Sequence, residues 1–485
     1  MANGQPSAEE QAKLASLYSS GDFAGLEMEA KRLLEAFPAI GFLWQVLGVA
    51  LNSQGKDALD ALQKAVSLSP GDGLAFSNLG NAQKAAGLQE EAEASYRRAL
   101  ALNPADIVAR YNLGSILQEQ QKLAEAEEAY RQVLILTPDF APAHFNLGTL
   151  LDNKGDAAGA ESSYRRVLEL DSNHVQAKFN LGCVLLQNGK YAEAEKYFRQ
   201  VQMAEPGYPD ARFRLGQALY RQGILEQAEA CFLEVLKLQP EHIACLNSLG
   251  LLLADSLRLD GAERLLRQAV ALDDSIADSL GNLGYVLNAQ GEFDEAEFIL
   301  KRALERRPDL SELHTLLGTT LVVTNRPEQA KECFRKALQL QPNNAQYVYN
   351  LGMSYQEAGQ LEDAINCYRR ALTLKPDFPI ALNDMGLLLG VWGRFLEAET
   401  ACERAIALEP ENSRFHVTLG GLSLDMGQYT LAEASFRRAL ELDPDYCYAL
   451  SNILFMHTLD GRHADQQCLE DARQFGRLVL AQASG

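Results

Sequence analysis

Apolar residues run along almost the whole chain at three- and four-residue spacings, in short blocks separated by polar breaks. That spacing predicts amphipathic helices. The segment Gly73–Asp106 reads as two of them, with Gly87 in the break between. Counting Gly73 as the first residue of a unit, the pattern then repeats every 34 residues without a slip. The eighth residue is Gly80, Gly114, Gly148, Gly182, Gly216, Gly250, Gly284, Gly318, Gly352, Gly386 and Gly420 in turn. Twelve residues after each comes an alanine, from Ala92 to Ala432. The fold class follows: all-α, with two-helix modules stacked on their neighbours as a solenoid rather than folded round one large core.

Each recurrent residue has a mechanical reason. Gly80 and Ala92 lack bulk where the two helices cross. Gly87 ends the first helix, because a residue free to adopt positive φ is needed there. Eight of the eleven units keep glycine at that place, while Asn325 is a tolerable substitute and Gln121 and Leu257 fit less well. Tyr96, Tyr130, Tyr164, Phe198, Phe232, Phe334, Tyr368 and Phe436 are expected to fill the seam between units. Prolines such as Pro104, Pro138 and Pro206 stop the second helix.

These residues identify the chain as similar to the tetratricopeptide repeat family, over nearly its whole length. The resemblance implies a right-handed α-α superhelix, a single extended repeat domain, with the first helix of each unit lining a concave groove. Eleven in-register units span 73–446. Residues 1–72 form degenerate N-terminal units and a cap: Ser7–Ile40 keeps Gly21 and Pro38, and Gly41–Asp72 is two residues short. That loss falls between Gly55 and Ala58, so a shortened turn with both helices intact is expected. Residues 447–485 are a degenerate C-terminal unit or cap helix.

The sixth position carries asparagine in Asn78, Asn112, Asn146, Asn180, Asn282 and Asn350. An amide offers both a donor and an acceptor and can pair with a peptide group. Helices about 8–10 Å apart would meet roughly every third residue of a strand rising about 3.3 Å per residue. One place earlier stand Tyr111, Phe145, Phe179, Phe213 and Tyr349, which would give exposed apolar contact on the same wall or pack as filler against the neighbouring helix. Arg214 replaces asparagine in its unit, adding a charged contact or ending the ladder. The candidate ligand is a protein or peptide partner in the groove. The ladder resembles that of O-linked N-acetylglucosamine transferases. The run Ser451–Met456, followed by Cys468–Arg477, resembles the segment before the catalytic domain of SPINDLY-like glycosyltransferases. That resemblance implies a second reading, the substrate-recognition region of such an enzyme without its catalytic domain; a C-terminal cap helix is the alternative.

Composition narrows the choice. Lys and Arg number 44 against 65 Asp and Glu, a formal charge of −21. Phosphate binding needs the opposite sign, so nucleic acid is disfavoured and neutral or basic proteins are favoured. No apolar run reaches the roughly 18 residues of a membrane span, and the polar N-terminus lacks the features of a secretory signal, so no membrane and a cytoplasmic location are expected. Eight cysteines include no CxxC pair, and Cys231, Cys333 and Cys367 share one repeat position, as packing groups would. Histidines show no metal-ligand spacing, and no phosphate loop, HExxH or GxSxG occurs: no metal, no cofactor and no catalytic residue is expected. Glutamates four residues before arginines, as in Glu93–Arg97, read as exposed ion pairs on a solvated face. End-to-end self-association remains a further possible use of a stack.

Overall fold

The computed structural model describes residues 5–459 and 466–483, and the described residues are helices joined by short turns. The chain divides into two compact units, one ending at Leu238 and the other starting at Gln239. The first holds α1 (Ala8–Ser19), α2 (Phe23–Ala36), α3 (Gly41–Ser53), α4 (Leu59–Leu68), α5 (Gly73–Ala85), α6 (Gln89–Leu102) and α7 (Ile107–Glu119). It continues with α8 (Leu123–Leu136), α9 (Ala141–Asn153), α10 (Ala157–Leu170), α11 (Val175–Gln187), α12 (Tyr191–Ala204), α13 (Pro209–Arg221) and α14 (Leu225–Leu238). The second holds α15 (Ile243–Asp255), α16 (Leu259–Leu272), α17 (Ala277–Gln290), α18 (Phe293–Arg306), α19 (Ser311–Val323), α20 (Pro327–Leu340) and α21 (Ala345–Glu357). Then come α22 (Leu361–Leu374), α23 (Pro379–Val391), α24 (Phe395–Leu408), α25 (Ser413–Asp425), α26 (Tyr429–Leu442), α27 (Cys447–Leu459) and α28 (Gln466–Ala483).

Each odd helix packs against the even helix after it, making an all-α stack of hairpins within each unit. Successive first helices also touch, as α5 does α7 and α7 does α9, or α15 does α17 and α23 does α25. Among the described residues, successive second helices do not pair in this way. Within a unit the first helices therefore form the inner, more crowded layer.

The helix crossing follows from the repeat glycine. A Cβ built on Gly80 would lie 2.7 Å from Cε1 of Tyr96, and one on Gly114 would lie 2.7 Å from Cε1 of Tyr130. Tyr96, Tyr130, Tyr164, Phe198 and Phe232 have no exposed surface. The ring thus lies on the glycine of its own hairpin, closing the crossing from inside rather than only filling the seam to the next. Leu266, Leu300 and Cys402 do the same on Gly250, Gly284 and Gly386. The Cβ atoms of Cys231 and Cys367 lie beside this contact at Gly216 and Gly352, which agrees with their packing role.

Two local expectations need correction. The shortened repeat does not lose a turn alone. α4 begins at Leu59 and is 10 residues long, against 14 for α6, so its first helical turn is gone. Ala58 becomes the N-cap, and Asp57 accepts from the Leu59 N–H at 3.0 Å in its place. The glutamates before arginines are also less solvated than expected. Glu93 accepts from Arg97 at 2.9 Å and from Lys122 of the next hairpin at 2.8 Å. Glu161 joins Arg165 and Lys190 in the same way. These carboxylates sit largely covered in the hairpin seam and act as inter-hairpin clamps. At the N-terminal end, Glu27 is held down to about 2, first by the Lys31 ammonium and then by Lys56. Glu29 is also held down to about 2, by Arg32 and then Lys13.

The turn between helices does require positive φ: Gly87 has φ +76°, and Gln121, Leu257 and Asn325 adopt +63°, +58° and +56°. For a leucine this is strained. Leu257 is also 84% exposed, so no burial offsets the strain. Replacing Leu257 with glycine is expected to raise stability by about 1 kcal/mol, read as a higher urea midpoint. A lower or unchanged midpoint contradicts it.

The clamps also fix an acid response. A carboxylate whose folded pKa is depressed stabilises the fold above its unfolded value near 4.5, and that stabilisation is lost as pH falls toward about 2. Thermal unfolding followed by Trp44 fluorescence should therefore fall in midpoint between those values. Glu27→Gln with Glu29→Gln should flatten the fall; an equally steep fall in that double variant argues against the assignment.

Candidate peptide-binding face

The sixth-position asparagines lie on the inner layer of first helices. Asn78, Asn112, Asn146, Asn180 and Asn282 are half-buried, and Asn350 is buried. Their amides are already engaged in part. The Asn112 amide nitrogen donates to Oδ1 of Asn81 in the preceding hairpin at 2.8 Å, and Tyr96 donates to the same oxygen at 2.8 Å. Asn146 donates to the hydroxyls of Tyr111 at 3.0 Å and Tyr130 at 3.3 Å. Asn180 donates to the Tyr164 hydroxyl at 3.3 Å, and its oxygen accepts from Gln176 at 3.1 Å. The Asn350 oxygen accepts from Gln346 at 2.9 Å. Asn78 and Asn282 make no side-chain hydrogen bond among the described residues. The donor end of Asn112, Asn146 and Asn180 thus ties one hairpin to the one before it. The oxygens of Asn112 and Asn146 have no partner among the described residues, so these amides present fixed acceptors, not the double-ended group expected.

The fifth-position aromatics are more deeply set than an exposed wall would have them. Tyr111 packs on Tyr130 of its own hairpin and on Phe140, which precedes the next first helix, at centroid distances of 6.0 and 5.4 Å. Phe145 lies between Tyr164 and His174 at 6.0 and 5.1 Å, and Phe179 between Phe198 and Tyr208 at 6.0 and 5.1 Å. Tyr111, Phe145 and Phe179 remain half-buried, whereas Phe213 and Tyr349 are buried, with 5% and 6% exposed. The expectation of exposed aromatics fails for those last two; Phe213 packs on Phe232 at a centroid distance of 6.0 Å. Tyr349 packs between Tyr368 and Phe378 and donates to Oδ2 of Asp384 at 2.7 Å. Arg214 is half-buried, bonds Gln217 at 3.0 Å and lies over the Phe213 ring at 5.6 Å.

Several contributors were not singled out from sequence. Phe140, His174, Tyr208 and Phe378 close the aromatic sandwiches, and their recurrence at the last position of a unit was a readable signal. Asp384, standing at the asparagine position, is nearly buried and pairs with Arg414 at 2.7 Å. The Ser451–Met456 run has a packing explanation: Ile453 and Met456 are buried against Phe436 and Ala449. Among the described residues no His, Cys, Asp and Glu cluster could hold a metal ion. No helix among them is long and apolar enough to cross a membrane.

Comparison with known families places repeats on most of this length. Models described as tetratricopeptide repeat match residues 75–106, 107–140, 345–378 and 383–446. The model described as cilia and flagella-associated protein 70 C-terminal domain matches residues 140–350. No curated protein matches the chain. Among solved structures, it is similar to YrrB, described as a TPR protein with an unusual peptide-binding site. That match has 26% identity over 38% of this chain and 96% of that one, with a TM-score of 0.37. A chain of the APC/C hetero-tetramer Cut9–Hcn1 matches at 14% identity over 92% of this chain and 95% of that one, with a TM-score of 0.46.

Proposed function

We propose that this chain, built from tetratricopeptide repeats, is a protein-interaction scaffold that holds extended segments of partner polypeptides along the inner helix layer of its first unit. The observation that carries this reading is the run Asn112, Asn146 and Asn180. Three successive hairpins present amides at one equivalent place, each immobilised by a hydrogen bond across the seam. An amide held in advance spends little entropy on binding a partner. Free carbonyl oxygens at Asn112 and Asn146 accept peptide N–H groups whatever side chains the partner carries. Such recognition suits a strand read by its backbone.

The surroundings support the same occupant. Partly open edges of Tyr111, Phe145 and Phe179 supply apolar contact beside the amides, and Arg214 supplies one cation at the end of the row. Asn78 extends the set at the equivalent place in the preceding hairpin; Asn282 belongs to the second unit, and the buried Asn350, Phe213 and Tyr349 serve the core. A net charge of −21 favours neutral or basic polypeptides over nucleic acid. The glycosyltransferase-recognition reading has no comparable support: the ladder that suggested it is this same amide row, and Ile453 and Met456 of the C-terminal run serve local packing.

The test is a triple variant, Asn112→Ala, Asn146→Ala and Asn180→Ala, against an array of ten-residue peptides of random sequence. Loss of binding across the array is expected. Each lost neutral hydrogen bond costs about 0.5–1.5 kcal/mol, so the melting temperature should fall modestly while helicity is kept. Undiminished binding by the folded triple variant overturns the proposal.

A further inference from the structure

The inner layer of the second unit has a different chemistry from that of the first. At the ninth position the first unit has Asn81, Ser115, Thr149, Cys183 and Gln217, whereas the second has Leu251, Tyr285, Thr319, Met353, Leu387 and Gly421, four of the six large and apolar or aromatic. Between α23, α25 and the start of α27 lies a groove of about 350 Å³. Leu387, Val391 and Tyr448, all exposed, line it together with Val417 and Leu422. That volume lies within the usual range of ligand pockets, about 300–1,000 Å³.

Its floor includes Gly421, in the interior of α25. The adjacent Gly420 has a packing reason, because a Cβ there would lie 2.8 Å from the Phe436 ring. A Cβ on Gly421 would meet nothing within 4 Å. Glycine inside a helix costs about 1 kcal/mol relative to alanine, and no close packing among the described residues calls for it here. The missing side chain leaves room for an outside group.

The two ends of the groove carry opposite charges. Arg414 Nη2 donates to Asp384 Oδ1 at 2.7 Å, and the Asp384 side chain, 6% exposed, also accepts from Tyr349 at 2.7 Å. This network fixes the guanidinium of a side chain that is 55% exposed, and its other N–H groups have no partner among the described residues. Asp425 stands at the far end of the same helix, eleven residues on, which is about 16 Å of helix axis. An extended strand spans that distance in about five residues.

We propose that this groove docks an extended segment of a partner polypeptide with a carboxylate facing Arg414, a large apolar side chain over Gly421 and a cation facing Asp425. The site belongs to the second unit and stands or falls independently of the amide row. The probe is the capped, fluorescent peptide Asp-Ser-Trp-Ser-Lys, titrated by anisotropy into the full chain. Saturable binding below about 1 mM is expected. Gly421→Leu puts a side chain into the groove from a position where the Cβ meets nothing within 4 Å, so affinity should fall at least about tenfold while the melting temperature holds or rises. Asp425→Lys should weaken the probe several-fold, and a probe with Ala for Trp should not bind. The triple asparagine variant should bind the probe as the wild type does. Equal affinity for wild type and Gly421→Leu, equal binding of the Ala probe, or no saturable binding overturns the proposal.

Discussion

A buried side chain lying on a glycine governs the architecture. In every in-register hairpin the eighth residue has no Cβ, and a side chain sixteen residues later occupies the space. The contact is closer than any Cβ would permit, as at Gly114 and Tyr130. Each such glycine weakens its helix by about 1 kcal/mol, and each fully buried ring contributes about 1.5–3 kcal/mol in return. The exchange fixes where the two helices cross. The tyrosine hydroxyls at 130 and 164 then reach the asparagines of the following hairpin, so crossing and stacking are joined through one side chain.

That contact also explains what could be read from the sequence. A fixed spacing of glycine, alanine, aromatic residue and proline reports equivalence between positions, and the helices fall where it places them. Left-handed turns at Gln121, Leu257 and Asn325 follow the register even against residue preference. Spacing does not report whether a polar atom already has a partner. Asn146 looks the same in sequence whether its nitrogen faces solvent or binds two tyrosine hydroxyls. Nor does it show that Tyr349 is covered, since that depends on Phe378, 29 places away. The shortened α4 was legible as a deletion but not as the loss of a helical turn, because a gap in register does not say which element absorbs it.

Electrostatics divides along the same layers. The strongly acidic balance is not spread evenly, for glutamates such as Glu93, Glu127 and Glu161 are drawn into seams by basic residues of their own and the next hairpin. Each such pair is a modest contribution by itself. Repeated at several junctions, as again at Glu297 and Arg326, they favour one register of stacking over a slipped one. On the inner layer the asparagine place is taken once by a carboxylate, Asp384, and there the whole neighbourhood has changed with it, from Tyr349 to Arg414.

The ring-on-glycine contact separates the residues of a repeat by duty. Positions eight, twenty and twenty-four are bound to the fold, while the thirteenth, at the exposed end of the inner helix in each in-register unit, carries little structural obligation. Changes at those free places can accumulate in one hairpin without disturbing its neighbours. Over generations such a chain can acquire new specificities piecemeal, one module at a time, while remaining folded throughout.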